Sequence, residues 1–326
     1  MIHKVIEIWN KPANSYSHSN AEDIKINNIS TDNSKNNKKY IVNIENDAFK
    51  PTLTTYILDN KTGAAQNALS GNPVSITKSA SNSNTKKRAA VLVLPGGGYS
   101  STSPREAEPI ALQFNEAGYH AFVLNYRVAP EKHPQPLLDA SRAMCIIREN
   151  ADKWNIYSDK IAICGFSAGG HLAASLAVHW DKEYLGNVYG IEIGKNRPNA
   201  LIACYPVITS GQYAHRGSFI NLLGENASSE LLHEMSLEHH VSDKTPPAFI
   251  WHTFSDDSVP VENSLLFAQA LRKNNIPFEL HIYPEGVHGL SLATEDTATD
   301  KPEYVSPHVA SWINLCKEWL KLQFNA

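Results

Sequence analysis

The segment KIAICGFSAGG, residues 160–170, changes character halfway along. Its first half is an unbroken apolar run from Ile161 to Cys164, the pattern of a strand buried on both faces. Its second half sets Ser167 between Gly165 and Gly169, and a helical pattern, AGGHLAASLAVHW (168–180), follows at once. A sharp strand-to-helix turn needs small residues beside a strained serine, because Cβ atoms there would clash. Such a turn lifts the Ser167 hydroxyl above the strand's carboxyl end, next to a helix N-terminus that favours negative charge.

On either side of this segment strands and helices alternate. AAVLVLP (89–95), YHAFVLNY (119–126), NALIACYP (199–206), PAFIWHTF (247–254) and FELHIYP (278–284) read as strands. EAEPIALQFNEAG (106–118), Pro136 to Trp154, VENSLLFAQALRKNN (261–275) and HVASWINLCKEWLKL (308–322) read as helices, the first ending at Gly118. That alternation predicts one α/β domain: a mostly parallel central sheet flanked by helices on both faces. KYIVNI (39–44) and TLTTYIL (52–58) read as antiparallel strands at its N-terminal edge, and residues 2–9 alternate like a short strand. Residues 10–39 are rich in Asn, Ser and Lys and bury little, so residues 1–39 are expected to be an extension of a catalytic domain spanning 40–326. GNPVSITKSASNSNTKKR (71–88) reads as a solvated hairpin or loop. Residues 206–246 read as a long irregular, polar, cap-like insertion.

A nucleophilic serine needs a base and a group to orient that base, and on this architecture both follow it, each after a strand. Asp256 follows PAFIWHTF and opens the turn Asp256-Asp257-Ser258-Val259-Pro260; His288 follows FELHIYP. Asp257 competes with Asp256 for the orienting role, and Asp256 is preferred because it leaves the strand first. Pro95-Gly96-Gly97-Gly98-Tyr99 follows the buried strand AAVLVL. Its Gly97 and Gly98 N–H groups, with that of Ala168, are expected to form an oxyanion hole. Tyr99, Arg105, His215 and Arg216 are candidate substrate contacts. Arg105 and Glu106 read either as pocket lining or as an ion pair at a helix start.

The chain has 326 residues, 42% of them hydrophobic, and a net charge of −4. That is enough apolar material for a large core, and mild acidity without a basic block argues against nucleic acid as a partner. No apolar run is long enough to span a membrane, and MIHKVIEIWN lacks the apolar core of a signal peptide. Cys145, Cys164, Cys204 and Cys316 form no CxxC pair and read as buried thiols, so a cytoplasmic location is expected. His171, His239 and His240 read as structural or surface residues rather than metal ligands.

With these pieces in place, the chain resembles the α/β-hydrolase superfamily, and within it the bacterial acetyl xylan esterase and feruloyl esterase-like carboxylesterases. The resemblance rests on LPGGGYSSTSPREAEPIALQFNEAGYHAFVLNYRVAP, IAICGFSAGGHLAASLAVHW, FIWHTFSDDSVPVENSLLFAQALR and FELHIYPEGVHGLSLAT. In the family's HTxxDxxVP pattern the aspartate lies four residues after the histidine, here His252 and Asp256. Pro95 stands where related lipase-like enzymes carry a histidine before the glycines. The resemblance implies ester hydrolysis through an acyl-enzyme on Ser167, with no cofactor and a small-molecule ester as substrate. The polar insertion favours short acyl groups on a polar alcohol, such as acetylated sugars. A serine peptidase or amidase on the same fold is the nearest alternative, and a non-catalytic binding protein the next. The natural ester and the oligomeric state stay open.

Overall fold

The structure, a computed structural model, describes residues 2–9, 50–59 and 86–325. The readings of residues 10–39, of KYIVNI and of the loop up to residue 85 lie outside the described residues.

Eight strands form one sheet: β1 (Ile2–Glu7), β2 (Thr52–Ile57), β3 (Arg88–Leu94), β4 (His120–Asn125), β5 (Ile156–Phe166), β6 (Ala200–Cys204), β7 (Ala248–Thr253) and β8 (Phe278–Tyr283). Their spatial order is β1-β2-β4-β3-β5-β6-β7-β8. β1 and β2 pair antiparallel, β2 joins β4 antiparallel, and every other neighbour is parallel. The antiparallel N-terminal edge is therefore present, and its outermost described strand is β1. The extension expected over residues 1–39 thus begins with a strand of the sheet.

The described residues form nine α-helices: α1 (Glu108–Glu116), α2 (Gln135–Glu149), α3 (Ala168–His179), α4 (Glu183–Gly186), α5 (Arg216–Leu223), α6 (Ser229–Glu234), α7 (Glu262–Lys273), α8 (Glu295–Ala298) and α9 (Trp312–Phe324). Strand alternation divides the core. Leu92, Ile161, Ile163, Leu201 and Ile250 face α2, α3 and α7, whereas Val91, Val93, Cys164, Phe166, Ile202 and Trp251 face α1 and α9. Each side chain of this size, fully buried, stabilises by about 1.5–3 kcal/mol relative to exposure. All four cysteines are buried free thiols. α1 ends as its sequence indicates: Gly118 takes φ +90°, its N–H bonds Asn115 O at 2.9 Å, and Tyr119 N–H bonds Phe114 O at 3.0 Å.

The segment read as irregular between β6 and β7 carries α5 and α6 plus a 3-10 turn at Leu237–His239. These helices are too short to show an apolar period. Caps start them instead: His215 Nδ1 accepts from Ser218 N–H, and Ser228 Oγ from Leu231 N–H. Among the described residues no helix is long and apolar enough to cross a membrane.

The chain runs from β3 to β4 on one side and returns to β5 on the other, so β3 and β5 are neighbours from which successive connections diverge. In open α/β sheets the crevice beyond the strand carboxyl ends at such a point is where ligands bind. Here it holds the glycine loop after β3 and the Ser167 turn after β5.

Candidate active site

Ser167 has φ +53° and ψ −119°, between β5 and α3. Close packing, rather than flexibility, fixes the flanking glycines. A Cβ on Gly165 would lie 2.1 Å from Gly169 O, and one on Gly169 2.2 Å from Leu94 O and 2.4 Å from Pro95 O. The first turn of α3 thus seats directly on the end of β3, and Ser167 O accepts from His171 N–H at 3.0 Å and Val207 N–H at 3.1 Å. Backbone strain at the serine is held by contacts on every side.

Ser167 Oγ lies 2.8 Å from His288 Nε2, and His288 Nδ1 lies 2.7 Å from Asp256 Oδ2. Asp256 Oδ1 accepts from the N–H groups of Ser258 at 3.0 Å and Val259 at 2.8 Å. His252 Nε2 sits 2.9 Å from Val259 O and 3.2 Å from Asp256 Oδ2. A carbonyl only accepts, so that nitrogen carries the proton, and Nδ1 accepts from Ser264 Oγ at 2.7 Å. Burial pushes the Asp256 carboxyl up, but hydrogen bonds from His252 and His288, the charge of His288 and the Val259 N–H outweigh it. The net effect holds Asp256 well below the usual carboxylate range. Asp257, one residue on, is exposed and meets Ser258 Oγ at 3.2 Å.

The loop carrying His288 is braced against β7. Thr253 Oγ1 and Ser255 Oγ both donate to Gly286 O, at 2.9 and 3.1 Å, and Gly286 N–H donates to Ser255 Oγ at 2.9 Å.

In the glycine loop, Gly97 O accepts from the N–H groups of Ser100 and Ser101, and Gly98 O accepts from Asn221 Nδ2 of α5 at 2.8 Å. Among the described residues the N–H groups of Gly97 and Gly98 have no acceptor. Ala168, first residue of α3, has no intrahelical partner for its own N–H. Gly96 N–H differs: it donates to Glu106 Oε2 at 2.7 Å. Glu106 Oε1 accepts from Tyr205 OH at 2.6 Å. Burial pushes the Glu106 carboxyl up, only partly offset by those two hydrogen bonds and by the charges of His288 and Arg105.

The four candidate substrate contacts separate. Tyr99 turns inward, 2% exposed, and its hydroxyl meets His171 Nδ1 at 2.8 Å. His171 Nε2 donates to Met235 O at 3.0 Å, and burial lowers this imidazole to about 4, so it is neutral at pH 7. Tyr99 is a strut between the glycine loop and the cap, not pocket lining; its φ of +60° swings the ring into the core. Arg105 is also withdrawn. Its guanidinium bonds Gly289 O at 2.9 Å and Thr297 O and lies 4.0 Å from the Tyr304 ring centroid, so neither reading of it stands. Arg216 is exposed and bonds Ser210 O and Gly211 O, each at 2.9 Å. His215 stays half-buried within electrostatic reach of His288 and Asp256. Its Nδ1 is 2.8 Å from Ser218 Oγ and accepts from Ser218 N–H, which leaves the proton on Nε2.

Sequence reasoning passed over Tyr205, Ser291 and Asn263. Buried Asn263 accepts from Ile208 and Thr209 N–H at 2.8 and 3.0 Å and donates to Tyr213 O at 2.9 Å, tying the cap to α7. A polar residue on the inward face of an amphipathic helix was the available signal.

The BD-FAE family model matches residues 78–271. The chain is 48% identical over 214 residues to endo-1,4-β-xylanase B of Butyrivibrio fibrisolvens, covering 64% of this chain and 34% of that one. It is 34% identical over 211 residues to an acetylxylan esterase of Xylanibacter ruminicola, covering 63% and 42%. The match thus spans between a third and a half of these curated relatives. Among solved structures, an acetyl ester-xyloside bifunctional hydrolase from Caldicellulosiruptor lactoaceticus superposes with a TM-score of 0.71 at 42% identity, covering 89% of this chain and 93% of that one.

Proposed function

The chain belongs to the BD-FAE family on an α/β-hydrolase fold, and from that premise we propose that it is a serine carboxylesterase acting on acetyl and other short acyl esters of carbohydrates. The observation that carries this reading is the hydrogen-bonded line Ser167–His288–Asp256 on a positive-φ turn. Ser167 Oγ attacks the ester carbonyl while His288 Nε2 takes its proton. The N–H groups of Gly97, Gly98 and Ala168 receive the developing oxyanion, each worth on the order of 3 kcal/mol of barrier. His288 returns the proton to the departing alcohol, leaving an acyl-enzyme. Water then adds to the acyl carbon, giving its proton to His288; the acid departs and Ser167 regains its proton. Asp256 fixes the imidazole tautomer and stabilises the imidazolium.

The short-acyl preference rests on the cap. Asn221 holds the glycine loop directly, and α5 turns Phe219, Leu222 and Leu223 inward rather than over a wide channel. His215 Nε2–H is a donor suited to a hydroxyl of the alcohol portion. The names of the xylanase, acetylxylan esterase and acetyl ester-xyloside hydrolase relatives point to xylan as the carbohydrate.

Ser167→Ala should abolish hydrolysis of p-nitrophenyl acetate with the circular dichroism spectrum unchanged. Acetate should be cleaved faster than octanoate, and acetylated xylo-oligosaccharides should release acetate. Undiminished activity in the Ser167→Ala protein would sink the mechanism; octanoate preferred over acetate would sink the substrate class.

A further inference from the structure

We propose that Glu106 is a positioning residue for this reaction: through Gly96 N–H and the Tyr205 hydroxyl it holds the glycine loop and the histidine loop in one register beneath Ser167. The proposal rests on the esterase reading and assigns a role to a carboxylate that the acyl-transfer steps do not use.

Glu106 ends a 3-10 turn, Pro104–Glu106, and is 3% exposed. A carboxylate so buried is costly unless donors satisfy it. Both its oxygens are claimed, by Gly96 N–H at 2.7 Å and Tyr205 OH at 2.6 Å. The Tyr205 oxygen in turn accepts from Ser291 N–H at 2.9 Å, three residues beyond His288. Tyr205 also packs edge-on to the His288 ring, with centroids 5.1 Å apart. The same turn grips the histidine loop a second time, since Ser291 Oγ donates to Arg105 O at 2.6 Å and Arg105 to Gly289 O. One three-residue turn thus touches both loops between which the ester carbonyl would sit.

The arrangement fits an anion. Gly96 N–H can only donate, and Tyr205 OH accepts from Ser291, so its own proton goes to Glu106. A protonated Glu106 would leave one hydrogen without an acceptor. Around Glu106 stand Gly96 N–H, Tyr205, Arg105, His288 and, from the end of β4, Tyr126. Around His288 stand Asp256, Ser167, Tyr205, His215 and Glu106. A negative charge below the imidazole favours the imidazolium that forms as Ser167 attacks. Glu106 touches no reacting atom, so it acts through geometry and field.

The test uses the full chain with p-nitrophenyl acetate, comparing wild type, S167A, E106Q, Y205F and the E106Q/Y205F double variant. E106Q should lower kcat by about 10–100-fold with KM within about threefold. It should also move the acid limb of the kcat/KM profile to lower pH by about half a unit or more, because His288 loses a neighbouring anion. Y205F removes one hydroxyl from an otherwise intact ring and should lower kcat in the same way even if E106Q folds poorly. The double variant should be no worse than its weaker parent by more than about threefold, since both act through one chain of hydrogen bonds. Multiplying single effects, an unmoved acid limb, or a Y205F kcat within about twofold of wild type would overturn the proposal. Hydrolysis lost in S167A but untouched in E106Q overturns this inference alone; no hydrolysis by wild type overturns the esterase reading with it.

Discussion

Two turns at the site each bury a carboxylate within electrostatic reach of His288, and they treat it in opposite ways. Asp256, in the turn after β7, meets four donors: Ser258 N–H, Val259 N–H, His252 and His288. Glu106, in the turn before α1, meets two. Burial pushes both carboxyls up, yet Asp256 ends far below its ordinary value and Glu106 above. Asp256 is met by twice as many donors and also lies less deep than Glu106, and both differences act in the same direction. The carboxylate that faces the His288 ring is supplied with four donors; the one that ties two loops together has only the two donors it ties.

The largest effect expected from testing this contrast is at Asp256. Asp256→Asn keeps the shape but offers His288 an amide, so the imidazole loses both its tautomer and its counter-charge. A kcat loss of about 10³–10⁴-fold is expected, with the fold retained. That is well beyond the loss expected at Glu106. Comparable losses at the two positions would erase the distinction between orienting and positioning carboxylates.

The same contrast explains what was legible in the sequence. Ser167, Asp256 and His288 announce themselves because each opens a turn with local chemistry, and their chain order follows the strands. The Glu106 connections do not, because its partners lie 10 and 99 residues away, and Tyr205 reaches Ser291 across 86. No local pattern encodes such a tie. Tyr99 misled for a related reason: an aromatic residue after three glycines suggests a pocket wall, but a positive φ at a non-glycine residue cannot be read from composition. Arg105 looked available only because the carbonyls that hold it, at Gly289 and Thr297, belong to a distant segment. The parallel strands were plain because burial on both faces makes continuous apolar runs. The pairing of β1 with β2 was not, since residues 8–51 separate them in sequence.

Opposite pKa displacements give opposite dependences of stability on pH, a smaller effect that sharpens the comparison. Asp256 is depressed in the folded state, so its stabilisation is complete above the unfolded value of about 3.9 and is lost as pH falls below it. Glu106 is raised, so ionising it costs the folded state stability, and that cost grows as pH climbs from about 4.3 toward its folded value. In thermal melts between about pH 5 and pH 3, Asp256→Asn should lose less stability on acidification than wild type. Glu106→Gln should gain on wild type as pH rises from about 4. Difference curves of the same sign for both variants would show that the two carboxyls are not held in opposite ways.

The smallest effect belongs to Asp257, and its smallness is informative. Asp257 is adjacent to Asp256 and chemically identical, but it is exposed, and Ser258 Oγ is the group that it meets. Consecutive residues of a turn point in different directions, so sequence distance says nothing about which carboxylate reaches His288. Asp257→Asn should leave kcat and KM within about twofold of wild type and the melting midpoint unmoved, as for a surface residue with one weak contact. A loss above about tenfold would mean that the turn presents its second carboxylate to the histidine during turnover. The gap of about a thousandfold or more expected between two neighbouring aspartates would then narrow, and the argument that donor count selects the orienting carboxylate would fall.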